Sequence, residues 1–149
     1  MAEGRRAWKG STRSWTAVVA LILVACSSPR PPGTLADLDA WNASTTYSEN
    51  GTALTATYAG WPMRDAPLAF VCTKTPEKVF EGDGIILGGD PSCTGLSSHV
   101  DGETLTVSMD RATLPQAFSA LDTWVTVLAM KTDQGTWSIS TTMPASFSP

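Results

Sequence analysis

Three residues with the side chains of a hydrolase triad, Ser97, His99 and Asp101, occur at alternate positions of the stretch "SSHVDG". Alternation places all three on one face of a β-strand, where side chains two residues apart stand roughly 6.5–7 Å apart. A triad needs the histidine within hydrogen-bond reach of the serine, and the sequence has no GxSxG turn. The pattern favours a surface histidine, so a small hydrolase using His99 is the weakest functional hypothesis.

The sequence also has few residues that could bind a metal ion. The sequence has one histidine and three cysteines, none of them closely spaced, which leaves a four-ligand zinc site incomplete. Carboxylates in a glycine-rich stretch can bind calcium, which takes six to eight oxygen ligands; those in the stretch 77–90 are Glu77, Glu81, Asp83 and Asp90. Their spacing matches no EF-hand loop and two lysines lie close by. We expect these carboxylates to be solvated charges on loops, and calcium binding by them stays an open alternative. We expect no cofactor and no enzymatic activity.

The first 25 residues have the composition of a secretory signal peptide. An uncharged run over residues 15–25, "WTAVVALILVA", follows a basic start formed by Arg5, Arg6, Lys9 and Arg13. The run is shorter than the ~20 apolar residues that span a bilayer. A basic head, a short apolar core and small residues after it predict a cleaved signal peptide over residues 1–25.

The end of this run, "LVAC", resembles the lipobox of bacterial lipoproteins, with Leu23 three positions before Cys26 and the small Ala25 directly before it. The resemblance implies that Cys26 is lipidated and that the chain is anchored in a bacterial cell envelope, facing the periplasm or the exterior. In a Gram-negative cell it favours the outer membrane, because Ser27 is not the aspartate that retains such proteins at the inner membrane. Residues 26–33, "CSSPRPPG", then form the lipidated cysteine and a proline-rich tether, and residues 34–149 a single domain.

Without residues 1–25 the chain is strongly acidic. That segment holds 4 of the 10 basic and 1 of the 14 acidic residues, which leaves 6 against 13 and a net charge near −7. A negative net charge disfavours binding to nucleic acid, because its phosphates are contacted by Lys and Arg. It also disfavours direct adsorption to anionic lipid. The expected partners are the membrane, through the lipid anchor, and an envelope protein or glycan.

The two remaining cysteines, Cys72 and Cys93, are expected to form a disulfide, because an exported chain meets an oxidising compartment. Their separation of 21 residues gives a crosslink that contributes roughly 3 kcal/mol in the chain-entropy description.

The apolar residues after the tether recur with a period of two, which is typical of half-buried strands. One face of each predicted strand carries the apolar side chains, as in Leu54, Ala56 and Tyr58, then Leu105, Val107 and Met109, then Trp137, Ile139, Thr141 and Met143. Three runs, "LAFVC" (68–72), "IIL" (85–87) and "WVTVLAM" (124–130), are apolar on both faces and predict central strands.

Turn residues separate these segments, which predicts an all-β domain: a small antiparallel β-sandwich of immunoglobulin type or a barrel. In "TLPQAFSALD" the residues Leu114, Phe118 and Leu121 follow a helical spacing. We therefore expect one short helical turn between two of the strands.

Aromatic residues supply the remaining candidate site. Trp124 and Trp137 lie on predicted strands and are expected in the core, whereas Trp41 and Trp61 adjoin polar or turn sequence, "WNAS" and "GWPMRD". Exposed tryptophans suit stacking on sugars or packing on a partner. Trp41 and Trp61 are therefore the predicted binding residues.

Three functional hypotheses follow. The leading one is a membrane-anchored envelope lipoprotein with a non-enzymatic β-domain that binds or scaffolds a partner outside the cytoplasm. The second is a periplasmic inhibitor or a carbohydrate-binding module, and the third is the small hydrolase already described.

Overall fold

A computed structural model of the chain describes residues 32–146. The predicted signal peptide, Cys26 and tether residues 26–31 lie outside this range and stay predictions. The described elements are α1 (Leu35–Ala40), β1 (Ser44–Asn50), β2 (Ala53–Ala59), β3 (Leu68–Cys72), β4 (Phe80–Glu81), β5 (Gly84–Ile85), β6 (Cys93–Asp101), β7 (Thr104–Asp110), β8 (Thr123–Thr132) and β9 (Gly135–Pro144). The predicted all-β class is confirmed.

Seven strands form one antiparallel sheet in the order β1-β2-β7-β6-β3-β8-β9, and β4 and β5 form a small separate hairpin. Strand β6 belongs to both halves of the large sheet. Its first residues, up to Leu96, pair with β3, and its last residues, from Ser97, pair with β7. The sheet curls at this strand, so that the half β1-β2-β7 packs against the half β3-β8-β9.

The core lies between the two halves. The alternation predicted for β2 and β7 is confirmed, because their inward residues Leu54, Ala56, Tyr58, Leu105, Val107 and Met109 are all buried. They pack against inward residues of the other half in two apolar clusters; those residues are Ala69, Val71, Trp124, Leu128, Met130, Trp137 and Met143. Glycines with positive φ, Gly51 (+62°) and Gly102 (+60°), form the hairpin turns of the first half, a backbone region that favours glycine.

Strands β3 and β8 are buried on both faces, as their sequences predicted. Their outer face carries Phe70, Cys72 and Val127, and Leu87 covers it. The run "IIL", however, is not a central strand. Gly84–Ile85 is one of the two short strands of the separate hairpin, and Leu87 starts a 3₁₀ turn, Leu87–Gly89. The apolar run covers the sheet from outside. A covering segment needs apolar residues just as a buried strand does, so the two have the same composition.

The helical content exceeds the single predicted turn. The 3₁₀ turn Gln116–Phe118 lies in the predicted segment, and a second 3₁₀ turn, Arg111–Thr113, comes directly before it and ends at its first residue. Helix α1 begins at a capping box in which Thr34 accepts from the Asp37 backbone and the Asp37 carboxylate accepts from Thr34. Nothing among the helices of residues 32–146 has both the length and the apolar character needed to cross a membrane.

The predicted disulfide is present. Cys72 of β3 and Cys93 of β6 lie directly opposite each other in the ladder, with their Cα atoms 4.0 Å apart, and their sulfurs are bonded. The bridge closes residues 73–92, which contain β4, β5 and the covering 3₁₀ turn. It therefore fixes this covering segment onto the outer face of β3 and β8.

Candidate functional site

Trp61 does not lie on the surface. Its side chain is 0 % exposed, and its ring meets those of Trp41 and Trp137 with centroids 4.9 Å and 5.9 Å away. Trp41 is half-buried and packs against the same core cluster. The predicted exposure of Trp61 is wrong, and the expected pair of exposed tryptophans does not exist. The predicted burial of Trp124 and Trp137 is confirmed.

Each of these two indole groups has a backbone hydrogen-bond acceptor. The indole N–H of Trp61 donates to the Asp65 carbonyl at 3.0 Å, and that of Trp41 donates to the Ala59 carbonyl at 3.1 Å. A buried indole needs such an acceptor. For Trp61 the turn that follows it supplies the acceptor, and for Trp41 the last residue of β2 supplies it.

The residues of the supposed triad lie on the outer face of β6. Ser97, His99 and Asp101 are exposed and succeed one another along the same strand. Within residues 32–146 the His99 ring makes no hydrogen bond to Ser97 or Asp101. The arrangement provides no contact between a nucleophile and a base.

The carboxylates of the stretch 77–90 are used separately. Asp83 pairs with Lys131, which lowers the pKa of that carboxyl. Asp90 accepts from the backbone and hydroxyl of Ser92 at 2.8 and 2.7 Å, which lowers its pKa as well. In the described part of the chain, no three His, Cys, Asp or Glu side chains are grouped closely enough to hold a metal ion.

The outer face of the β1-β2-β7-β6 half carries a regular array of hydroxyl groups. The register aligns two rows across all four strands. One row is Ser48, Thr55, Ser108 and Ser97, and the other is Thr46, Thr57, Thr106 and His99. We call these eight residues the hydroxyl face.

Two properties make the hydroxyl face a candidate binding surface. It contains seven hydroxyls, one imidazole and no carboxylate, ammonium or guanidinium group. Its side chains are exposed on β1 and β6 and half-buried on β2 and β7, and none of them hydrogen-bonds another residue of the range 32–146. Neighbouring groups in a row lie on strands about 4.8 Å apart, and successive rows are about 6.5–7 Å apart.

The period of two in β2 and β7 predicts a polar outer face for each strand but does not reveal the array. The sequence shows that Thr55 and Thr57, and likewise Thr106 and Ser108, alternate with apolar residues. It does not show which strands are neighbours, or in which register they pair. The signal available in the sequence was that three separate strands carry only Ser and Thr at their outward central positions.

A second candidate is a cleft of about 350 Å³ at one end of the sheet. Its apolar lining includes Leu114, Phe118, Leu121, Trp124 and Ala145, and Arg111 lies at its edge. The rings of Phe118 and Trp124 meet edge to face at 5.9 Å.

Arg111 is held at that edge by two contacts. Its guanidinium pairs with the Glu49 carboxylate at 2.9 Å and lies 5.9 Å from the centre of the Trp124 ring. Polar residues also line the cleft, among them Gln116, Ser119 and Asp122. The cleft therefore presents a mixed surface, in which Glu49 balances the charge of Arg111. We call it the terminal cleft.

Two buried side-chain atoms, the Tyr58 phenol oxygen and Arg111 Nε, have no hydrogen-bond partner within the described residues. Burial, and then the nearby Tyr47, raise the pKa of Tyr58 well above its usual value. Partial burial also raises the pKa of Tyr47. Both phenols are therefore neutral over the whole physiological range.

The comparisons with known proteins identify no relative: no protein-family model, no curated protein and no solved structure matches this chain.

Proposed function

We propose that this chain is a lipid-anchored protein of a bacterial cell envelope, whose non-enzymatic β-domain binds a neutral glycan through the hydroxyl face. The anchor is Cys26, on the strength of the resemblance of "LVAC" to a lipobox. The tether of residues 26–33 would link the lipid to the domain.

The two aligned rows of the hydroxyl face carry the proposal for the ligand. A hydroxyl group both donates and accepts hydrogen bonds, as do the hydroxyl groups of a sugar. A repeating polymer can contact several positions of a regular array at once, which raises avidity without any single strong contact. The two rows themselves carry no charge and are flanked on the same outer face by Asp101 and Asp110, which favours a neutral ligand over an anionic one.

The test compares isosteric variants of the full chain. Thr57→Val with Thr106→Val removes two central hydroxyls and keeps the shape and β-propensity of both strands. Each lost hydrogen bond is worth about 0.5–1.5 kcal/mol, so retention on insoluble neutral polysaccharides and on isolated cell-wall sacculi should fall about tenfold.

The matched control is Ser138→Ala with Ser140→Ala, which removes two exposed hydroxyls from β9. This variant should bind like the wild type. Equal retention of all three proteins, or binding that weakens steeply with added salt, would contradict a neutral ligand on the hydroxyl face.

The terminal cleft favours a second candidate function, the binding of an envelope protein by one of its apolar side chains. Aromatic and apolar anchors in pockets dominate protein interfaces, and Leu114 and Leu121 are partly exposed in the lining of this cleft. Ser119→Trp, at an exposed position of the rim, should fill the cleft. It should abolish recovery of any crosslinked partner that the wild type recovers from its own membranes.

A further inference from the structure

Strand β9 is a free edge of the large sheet. It pairs with β8 along its whole length, from Gly135 to Pro144, and no other strand of the range 32–146 pairs with its second side. The N–H and C=O groups of an antiparallel strand point alternately to its two sides. Every second residue of β9 therefore presents unpaired backbone groups outward.

The direction of the strands excludes an antiparallel closure of this edge by β1. All six ladders between β1 and β9 are antiparallel, so the two edge strands of the sheet run in the same direction. An antiparallel ladder between β1 and β9 is impossible. An added strand that runs opposite to β9 would continue the pattern of the sheet.

The free edge lacks the usual protection against pairing. Natural edge strands are guarded by charged side chains, prolines, bulges or short length. Strand β9 has ten residues, contains no charged residue, and has its only proline at the last position, Pro144. The opposite edge, β1, has seven residues and includes Glu49.

The middle of β9 also leaves an apolar side chain uncovered. Among the inward positions of this strand, Trp137 is 8 % and Met143 is 1 % exposed, whereas Ile139 between them is 37 % exposed. Helix α1 packs near the start of the strand, where Leu38 and Trp137 share a cluster. A strand added at the middle of β9 would cover Ile139.

We infer that β9 pairs antiparallel with β9 of a second copy of this chain, about a two-fold axis at Ile139. This register is self-complementary. It places Ile139 against itself, Ser138 against Ser140 and Thr136 against Thr142. Apolar pairs and Thr or Ser pairs of this kind stabilise antiparallel strands, and an isologous contact closes as a dimer.

The absence of charged side chains favours β9 over the other edge strand, β1, which includes Glu49, as the place of contact. Two copies that each carry a net charge near −7 after removal of residues 1–25 repel one another, and this repulsion is smallest where a charge-free strand meets its own copy. A single ladder buries little area compared with the ~1,600 Å² of a standard interface. We therefore expect a weak dimer that forms when both copies are held on one membrane, which rests on the proposed lipid anchor.

The test is disulfide trapping in membranes that contain the full chain. Directly opposed residues of an antiparallel pair have Cβ atoms about 4.5–5.5 Å apart, close enough for a disulfide to form with a small adjustment. Mild oxidation of Ile139→Cys should give a band of twice the monomer mass on a non-reducing gel. Ser48→Cys on the other edge and Thr57→Cys on the hydroxyl face should stay monomeric.

A second variant tests the register. Adding Ser138→Lys and Ser140→Lys to Ile139→Cys places like charges opposite one another, which is destabilising, and should reduce the crosslink several-fold. Both positions are exposed, so the fold is expected to survive. The inference is overturned if Ile139→Cys gives no dimer although maleimide labels its thiol. It is also overturned if all three cysteine variants crosslink equally, or if Ile139→Cys crosslinks to a different polypeptide.

The wild-type protein distinguishes a failure of this inference from a failure of the proposed anchor. A lipidated Cys26 has no free thiol, so the wild type should give no disulfide dimer. A wild-type dimer band that Cys26→Ser removes would contradict the anchor. Crosslinking of Ile139→Cys in that background would still support pairing through β9.

Discussion

The indole rings of Trp41 and Trp61 meet edge to face with their centroids 4.9 Å apart, one ring half-buried and the other completely enclosed. This contact joins the residue that ends α1 to the turn that follows β2. The two tryptophans therefore hold the helix onto the end of the sheet, and their loss should affect stability.

Trp61→Ala should lower the free energy of unfolding by about 3–5 kcal/mol, as for large aromatic side chains removed from a core. Trp41→Ala should cost less, because its ring is only half-buried. Urea denaturation followed by far-UV circular dichroism measures both, with Ser48→Ala as the surface control. Wild-type stability in Trp61→Ala would contradict the core assignment.

Replacing both Cys72 and Cys93 by alanine should lower stability by roughly 3 kcal/mol, because the unfolded chain loses its crosslink. The segment 73–92 should also become the first site of proteolysis, since the bridge fixes it to β3. Limited proteolysis of the oxidised and the double-variant proteins tests this. Identical cleavage patterns would show that the packing of Leu87 alone holds the segment.

Stability should fall as the pH rises above about 10, the ordinary pKa of tyrosine. Burial raises the pKa of Tyr58 and of Tyr47 in the folded protein. Above pH 10 the unfolded chain therefore releases phenolic protons that the folded chain retains, and the unfolded state gains stability. The absorbance of tyrosinate should appear only on unfolding, and Tyr58→Phe should reduce the pH dependence. Full ionisation of the folded protein near pH 10 would contradict the burial of both phenols.

His99→Ala should change stability by less than about 0.5 kcal/mol, as is usual for an exposed position without a special contact. It should leave the hydroxyl groups of the same row in place. Thermal melting and the polysaccharide assay measure the two effects. A hydrolytic activity lost in this variant with the fold intact would revive the triad hypothesis.

Cys26→Ser should release the chain from the membrane fraction, since lipid chains on Cys26 are the proposed attachment. Fractionation of cells after a detergent-free wash, with mass spectrometry of the N-terminal peptide, measures the change. Cys72→Ala with Cys93→Ala is the matched control and should stay in the membrane fraction. Continued membrane association of Cys26→Ser would argue against the lipobox interpretation.

The sequence by itself determined part of the local structure. The period of two in β2 and β7 specified which side chains face the core, because a strand with one buried face must alternate. The doubly apolar runs identified β3 and β8 as strands buried on both faces, and the two cysteines after the tether could pair only with each other if Cys26 is lipidated. These properties follow from neighbours along the chain.

Only the tertiary structure decided what depends on neighbours in space. The polar residues beside Trp61 suggested exposure, but the backbone carbonyl of one of them, Asp65, accepts the hydrogen bond of the buried indole. The run "IIL" had the composition of a central strand and instead covers one. The rows of the hydroxyl face and the free edge of β9 arise from strand order and register, which are set by packing between segments far apart in the chain. No pattern within a single strand carries that information.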